Sequence, residues 1–480
     1  TALLYRFNYI CFFLYPLAGL AADLLCGRYT AIMLSVAINI GLLLVGAVMT
    51  AITLSTEHNL KVGIIVLAPV ILAVQSFFQA NALQFGADNL QDASSEELRS
   101  FVYWFVWVYT LAQLPIVVFE NQYIMFGSEW RDIEYVVLAF ATAVLLGGAL
   151  LLVCHFTCFK LSAWFIREPP SRNPYITACR ILLYTKKNSV PVNRSSLTYW
   201  EDDMPPRMDV AKTKYGGPFS DEEVEDVKTL IGVSMVLLSL GTFGYMQVVA
   251  IPHAVFIRHV GVGTGFKLVS TFLASPVFLS VFVIPIHELL NRLFSRRLSM
   301  LTKLRVAVVI YVISTGINLL VDAVGHYLAH NLQCMFSGET AKGLLSSVHP
   351  SILLVPALLS SVATVTINVT SMEFIIAQSP YSMRGMLIGL FFFSQGVFGI
   401  IASLSILPFE LRDAQLGLSC CSLYYIINFA LVFLMSAIFW LVARKYRLRR
   451  RTEVINEYQI VEEHYSRRVD QIRSHDDSMQ

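Results

Sequence analysis

Apolar segments long enough to cross a membrane recur along the whole chain, and polar stretches separate them. An α-helix needs about 20 mainly apolar residues to cross the hydrocarbon core of a bilayer. The pattern therefore predicts eleven membrane-spanning helices. The predicted spans are Leu3–Leu25, Thr30–Thr53, Val62–Leu83, Phe101–Phe119, Tyr135–Phe159, Leu230–Phe256, Phe266–Leu289, Val306–Leu328, Ile352–Ile376, Met386–Leu407 and Leu423–Val442.

Two long charged stretches interrupt this series, one after the fifth apolar segment and one after the last. Both stretches are too polar to lie in a bilayer, so they predict an aqueous linker and an aqueous tail. The predicted domains are an N-terminal helix bundle at 1–159, a linker at 160–229, a C-terminal helix bundle at 230–443 and a tail at 444–480.

The composition supports an all-α polytopic membrane protein and excludes other classes. Hydrophobic residues make up 56% of the chain and charged residues only 14%, against about 25% charged residues in ordinary globular proteins. A net charge of +2 with a basic tail but no basic face excludes a nucleic-acid-binding protein. The eight cysteines fit neither a disulfide framework nor a metal site, and we expect them to be small buried side chains.

Clusters of lysine and arginine predict the orientation of the spans, because such clusters collect on the cytosolic side. If the spans alternate in direction, the linker, the loop near Arg296 and the tail after Arg444 all lie on one side, which we take as cytosolic. Thr1 is then extracytosolic. One further helix before Thr1 would give two bundles of six helices joined by a cytosolic linker. That is the layout of the major facilitator superfamily, in which substrate binds between the bundles.

The sequence contains no GxGxxG, GKS, HExxH or GxSxG motif. We therefore predict that the protein is not an enzyme, that it needs no cofactor or metal, and that an ion gradient supplies its energy.

A loop motif at the end of the first predicted span is the first candidate for function. Asp23, Gly27 and Arg28 combine an acidic helix end, a glycine turn and a cation. Such a combination can lock adjacent helices in one transporter state. The spacing resembles the signature loop of the superfamily, although a simple turn remains the alternative.

Four further stretches resemble the proton-dependent oligopeptide transporter (POT) family, and the linker stretch resembles in particular its peptide/histidine branch in solute carrier family 15. They are NALQFGADNLQD at 81–92, SFVYWFVWVYTLAQL at 100–114, the linker text at 173–203 and 214–230, and MEFIIAQSPYSMRGMLIGLFFFSQG at 372–396. The resemblance implies a symporter that couples protons to the uptake of di- and tripeptides, and in this branch of histidine, by alternating access. It implies an endolysosomal or plasma membrane as the location.

The same resemblance implies which positions bind substrate and protons. An ExxER motif on the first helix would lie before Thr1. The basic residue of the fourth helix falls on Gln79 and the glutamate of the tenth helix on Thr364, and neither residue is charged. Three readings stay open: a differently coupled peptide transporter, a degenerate transporter that acts as a receptor or scaffold, and a carrier of another small metabolite. A cytosolic adaptor that binds the linker or tail is a further expected partner.

Polar and aromatic residues within the spans extend the candidate substrate cavity. An amide or a cation in a span needs a partner or a ligand, and aromatic rings suit variable peptide side chains. Besides Gln79 and Thr364, the candidates are Arg6, Tyr9, Asn81, Trp104, Tyr245 and Gln247. The alternatives are a membrane-interface role for Arg6 and ordinary packing for the aromatic residues.

The remaining candidates concern gating and protons. Glu373, beside Gln378 and Arg384, matches a family motif and is expected to form a gate or an interhelical ion pair, and Asp88 ends the FGAD motif. The candidates for proton relay are His253, which follows Pro252, and the i, i+4 pair Asp322 and His326. Buried or interfacial structural roles are the alternatives for these three. His287 and Glu288, at the end of the span Phe266–Leu289, lie close to the predicted cytosolic interface and resemble family chemistry of the adjoining loop rather than a proton relay.

Overall fold

The computed structural model describes the chain at 12–55, 61–90, 95–126, 147–148, 150, 153, 173–188, 206–241, 276–293, 298–328, 354–416, 421–446 and 448. Within these residues eleven α-helices are defined. They are α1 (Tyr15–Ala21), α2 (Arg28–Ser55), α3 (Lys61–Asp88), α4 (Ser95–Phe126), α5 (Pro174–Lys187), α6 (Asp221–Leu240), α7 (Pro276–Leu293), α8 (Met300–Leu328), α9 (Leu354–Gln378), α10 (Arg384–Leu416) and α11 (Cys421–Lys445).

The described part of the chain is almost entirely helical, as the sequence predicts. Its only paired β-type contact is an isolated bridge between Lys212 and Phe219. Five of the described helices contain a segment long and apolar enough to cross a membrane. These segments are Arg28–Ile52, Met300–Val321, Leu354–Gln378, Arg384–Ala402 and Ile426–Lys445. The predicted spans at 135–159 and 230–256 lie largely outside the described residues.

The first predicted span is not one regular helix. A 3-10 turn at Phe12–Leu14 leads into α1, and a π-helical turn at Ala22–Cys26 follows α1. Gly27 then has a φ of 74° and donates its N–H to the carbonyl of Ala22 over 3.0 Å. Glycine adopts a positive φ without steric cost, so this residue lets the chain reverse direction and begin α2.

The helices pack so that residues distant in sequence meet at the predicted cytosolic side. α1 lies between α3 and α10, and α4 packs against both α7 and α9. α9 packs against α8, and α6 packs against α10 and α11. Since α1–α4 belong to the predicted N-terminal bundle and α7–α10 to the predicted C-terminal bundle, the α1–α10 and α4–α7 contacts join the two bundles.

The charged linker folds onto the start of α6 rather than only connecting the bundles. Asn173 caps α5 by accepting from two backbone N–H groups, and Ser220 with Glu223 forms a capping box at the start of α6. This box explains why α6 begins before the span predicted from Leu230. A small apolar cluster then fixes α5 against α6 and Met383, and its buried members are Ala178, Ile181, Ala211, Val224, Val227 and Met383.

A network of four ionised side chains joins the end of the linker to the first turns of α6. Lys212 and Lys228 each contact both Asp209 and Glu225, at N–O distances of 2.5–2.9 Å. Burial alone would raise the pKa of Asp209 and of Glu225, but hydrogen bonds and charge from the two lysines hold both below their usual values.

The chain divides into a compact unit at Thr1–Lys445, which contains α1–α11, and a second unit at Tyr446–Gln480. The expectation of buried cysteines is wrong for Cys26 and Cys179, because both are exposed and unbridged. Cys26 is the last residue of the π-helical turn, and Cys179 lies on the linker helix α5.

Candidate functional site

A network of ionised side chains joins α2, α3 and α10 with the π-helical turn that follows α1. Arg28 donates from Nη1 to Asp88 Oδ2 over 2.5 Å and from Nε to Asp23 Oδ1 over 3.3 Å. Arg384 Nη1 lies 3.7 Å from Asp88 Oδ1. The side chains of Asp88 and Asp23 are 4% and 1% exposed, so both carboxylates depend on these cations for solvation. We call this set, Asp23, Arg28, Asp88 and Arg384, the cytosolic clasp.

Asp23 connects the clasp directly to the predicted C-terminal bundle. Its Oδ2 accepts a hydrogen bond from the backbone N–H of Met386 over 3.3 Å. The first N–H groups of a helix have no partner inside the helix and attract negative charge. Asp23 therefore satisfies the start of α10 from the opposite bundle.

A pair of glycines allows α1 and α10 to approach closely enough for this contact. A methyl group added at Gly19 would overlap the carbonyl of Gly385, and one added at Gly385 would press against the Asp23 carboxylate. Neither position leaves space for a side chain. The backbone contact and the clasp therefore depend on each other.

The linker also reaches the clasp. Tyr175 in the first turn of α5 donates its hydroxyl to Asp23 Oδ2 over 3.1 Å. Burial, followed by the negative charge of Asp23, raises the pKa of Tyr175 above its usual value. The phenol consequently remains a proton donor at any physiological pH.

The described candidates for the substrate cavity are held by neutral interactions. Gln79 is buried in α3 and accepts a hydrogen bond from the hydroxyl of Tyr15. Asn81 donates to the carbonyl of Phe77 over 2.8 Å, while its own Oδ1 is buried with no hydrogen-bond partner within the described residues. Thr364 is half-buried on α9. Trp104 is 48% exposed, and its ring meets the ring of Trp107 edge-on.

Several predicted site residues cannot be placed. Arg6, Tyr9, Tyr245, Gln247 and His253 lie outside the described residues, as do the side chains of Asp322 and His326. Their roles in the cavity and in proton relay stay predictions. Within the residues that are described, no group of three or more His, Cys, Asp or Glu side chains is arranged to hold a metal ion.

Glu373 forms a different ion pair from the one that its sequence neighbours suggest. Its Oε2 lies 3.7 Å from Nζ of Lys303 at the start of α8, rather than beside Arg384. Arg99 of α4 also acts on Glu373 electrostatically. An interhelical ion pair is therefore present at Glu373, but its nearest cation belongs to the same predicted bundle.

A second contact between the bundles involves residues that the sequence does not single out. The hydroxyl of Tyr103 on α4 is 2.9 Å from Nδ1 of His287 on α7, and the two rings lie 5.6 Å apart. His287 Nε2 is 3.5 Å from Oγ1 of Thr366 on α9. One helical turn away from Tyr103, Trp107 donates its indole N–H to the carbonyl of Val281 over 3.0 Å.

His287 lies inside α7, in agreement with the predicted span Phe266–Leu289, but α7 extends four residues beyond the predicted end of that span. The apolar run before it continues through Pro285 to Leu293, and α7 passes through the proline without ending. A tyrosine and a histidine 184 positions apart carry no local sequence signal that predicts their contact.

Comparison with known proteins places this geometry in context. A sequence model of the POT family (PTR2) matches residues 29–411, which include α2–α9 and most of α10. A crystal structure of an auto-inhibited POT family peptide transporter superposes with a TM-score of 0.57 at 17% identity, covering 95% of this chain and 90% of that one.

Two further structures share the fold. The POT family transporter PepTSo gives a TM-score of 0.51 at 16% identity, over 93% of this chain and 89% of that one. The major facilitator superfamily proton:xylose symporter XylE, bound to 6-bromo-6-deoxy-D-glucose, gives a TM-score of 0.53 at 12% identity. The superposition covers 92% of this chain and 86% of that one. The predicted superfamily fold is thereby confirmed.

Proposed function

Because this chain belongs to the POT family of membrane transporters, we propose that it is a symporter that couples an inward proton gradient to the uptake of di- and tripeptides. Membership of a transporter family also agrees with the prediction that the protein is not an enzyme. The match to residues 29–411 is the observation that carries the proposal, because it extends through both predicted bundles and the linker.

The cytosolic clasp supports alternating access as the mechanism. Transporters of this architecture expose a central site to one side at a time by rocking one bundle against the other. A clasp made of ion pairs and one close backbone contact closes one side without covalent links. It can therefore break and re-form in every cycle, and the candidate substrate residues Gln79 and Asn81 precede Asp88 on α3 by two to three turns.

We further propose that histidine is a second substrate and that the protein works in an endolysosomal membrane, as the linker text at 173–203 suggests. The energy source is the proton gradient, with no organic cofactor. A plasma-membrane location is the alternative for the same activity.

The experiment is uptake by the purified protein in liposomes. An acidic outside and neutral inside should drive accumulation of a labelled dipeptide and of labelled histidine, and a protonophore should abolish it. If correctly inserted protein accumulates neither solute under the gradient, the symporter proposal is wrong.

A second candidate function follows from the neutral residues at two expected charged positions. Gln79 and Thr364 supply no charge for a peptide terminus or a proton, which favours a receptor or scaffold that binds a cytosolic adaptor through the linker or tail. Gln79→Lys separates the two candidates. In a symporter it should change the uptake rate or the Michaelis constant, whereas a scaffold should show no uptake before or after the substitution.

A further inference from the structure

His287 occupies a junction of three helices near one end of the bundles. It contacts Tyr103 from α4 through Nδ1 and Thr366 from α9 through Nε2. The residue lies between one and two turns before the end of α7 at Leu293, on the predicted cytosolic side. The α4–α7 contact must open whenever the cytosolic side opens, because α4 and α7 belong to different bundles.

The hydrogen-bond partners determine which ring nitrogen carries the proton in the closed state. The Thr366 hydroxyl donates to the carbonyl of Val362 over 2.8 Å, so its oxygen can only accept from His287 Nε2–H. In a neutral imidazole the other nitrogen, Nδ1, is then an acceptor. Tyr103 consequently donates its hydroxyl proton to Nδ1 of a neutral His287 in the closed contact.

We propose that His287 is the proton-responsive residue of the cytosolic gate, and that binding of a proton at Nδ1 weakens the closed contact between α4 and α7. The proposal rests on the proton-coupled function proposed above. His287 acts as a positioning residue for the gate and does not touch substrate.

The chemistry of the step follows from the closed geometry. A proton that binds the Nδ1 lone pair converts the acceptor into a donor, so the Tyr103 hydroxyl can no longer donate to His287 and the direction of this hydrogen bond must reverse. The ring also gains a charge while it is partly buried, which costs solvation free energy. Opening removes both costs, since the ring and the phenol are then solvated. When the proton leaves, the original hydrogen bond can re-form.

Charged groups surround the ring on every helix packed against it. Lys303 of α8 and the adjacent Glu288 act directly on His287 with opposite signs. Glu373 of α9 is paired with Lys303, and Arg99 of α4 acts on Glu373. The two charges that act directly on His287 have opposite effects, so the gate proposal rests on the hydrogen bond to Tyr103 rather than on these charges.

The test measures the gate itself, without substrate. Spin labels at positions 96 and 298, which are Glu96 at the start of α4 and Leu298 before α8, report the distance between the bundles on the cytosolic side; both residues are exposed. The native cysteines are first replaced by serine, and the protein is placed in lipid nanodiscs. Distances are recorded from pH 8 to pH 5, a range that includes the usual pKa of a histidine side chain, about 6.5.

We expect the open population of the wild type to increase as the pH falls, by up to about tenfold per pH unit for one linked proton. His287→Gln keeps a neutral acceptor for Tyr103 and a donor for Thr366, so its distances should stay closed and independent of pH. If the His287→Gln distances follow the wild-type pH dependence, the proposal is overturned.

A second variant decides the matter if His287→Gln fails to fold. Tyr103→Phe removes the hydroxyl and should open the gate already at pH 8, with a smaller further response to acid. Tyr311→Phe on α8 is the matched control for loss of a buried tyrosine hydroxyl. Equal pH responses in Tyr103→Phe, Tyr311→Phe and wild type would also overturn the proposal.

Peptide uptake and the distance measurement together distinguish failure of the symport proposal from failure of the gate proposal. If the wild type accumulates no peptide but its distances respond to pH through His287, the symport function fails and the gate assignment stands. If the wild type accumulates peptide and His287→Gln retains both the uptake and the pH response, the gate assignment fails alone.

Discussion

The two contacts that join the bundles on the predicted cytosolic side differ in chemistry. The cytosolic clasp between α1 and α10 is made of ionised side chains whose carboxylates are almost fully buried. The hydrogen bonds of α4 with α7 join neutral groups and one histidine, and the charges of Arg99 on α4 and Glu373 on α9 act on each other nearby. A buried ion pair is costly to break by removing one partner, whereas a neutral hydrogen bond contributes about 1 kcal/mol.

The two contacts should therefore differ in how much free energy their disruption costs and in how strongly they respond to a proton. Removal of one clasp partner should therefore disturb the closed state more than loss of one hydrogen bond in the second contact. The weaker contact can be reversed by a single proton. The proposed alternating access would use both properties, which belong here to different helix pairs.

Removal of one clasp charge should give the largest effect. Asp88→Asn leaves Arg28 and Arg384 without their shared carboxylate and should destabilise the closed state by about 3–5 kcal/mol. The distance between labels at positions 96 and 298 should shift to the open value at every pH. Asp221→Asn, an exposed carboxylate at the start of α6, is the control and should leave the distance unchanged. A closed Asp88→Asn protein would show that the clasp does not hold the gate.

Overpacking of the glycine contact should give the next largest effect. Gly19→Val forces the added side chain into the carbonyl of Gly385 and should cost the closed state about 1–3 kcal/mol. The same distance measurement checks the result. Gly41→Val on α2 is the matched control, because a methyl group there meets no atom within 4 Å. Equal distances in the two variants would contradict the close approach of α1 and α10.

Loss of one neutral hydrogen bond between the bundles should give the smallest effect. Trp107→Phe removes the indole N–H that donates to the carbonyl of Val281. It should destabilise the closed state relative to the open state by about 0.5–1.5 kcal/mol. Trp440→Phe is the control, since Trp440 contacts Arg305 within the predicted C-terminal bundle. A shift as large as that of Asp88→Asn would remove the distinction between the two contacts.

The sequence predicts the fold well because the length of an apolar segment determines whether it spans a bilayer. It predicts helix ends less well. α6 begins at Asp221 because a capping box in the linker starts it, and the first span changes to a π-helical turn next to Asp23. The POT family match confirms the resemblance, while the assignment to the peptide/histidine branch stays a proposal.

The site is predictable where its residues are close in sequence. Asp23, Gly27 and Arg28 form one short motif, and Asp88 ends a second motif. Tyr175 and Asp23 are separated by 152 positions, and Tyr103 and His287 by 184. Such contacts arise from helix packing, which hydrophobic periodicity alone does not specify.

The hydrogen bond from Tyr175 to Asp23 has a thermodynamic consequence for the linker. Asp23 contacts both the start of α10 and the linker helix α5, so the docking of α5 and the closure of the gate share one carboxylate. Coupling between two equilibria acts equally in both directions. If docking of the linker orients Asp23 towards the start of α10, a change that stabilises the docked linker should also favour the closed gate, and opening of the gate should weaken linker docking by the same free energy.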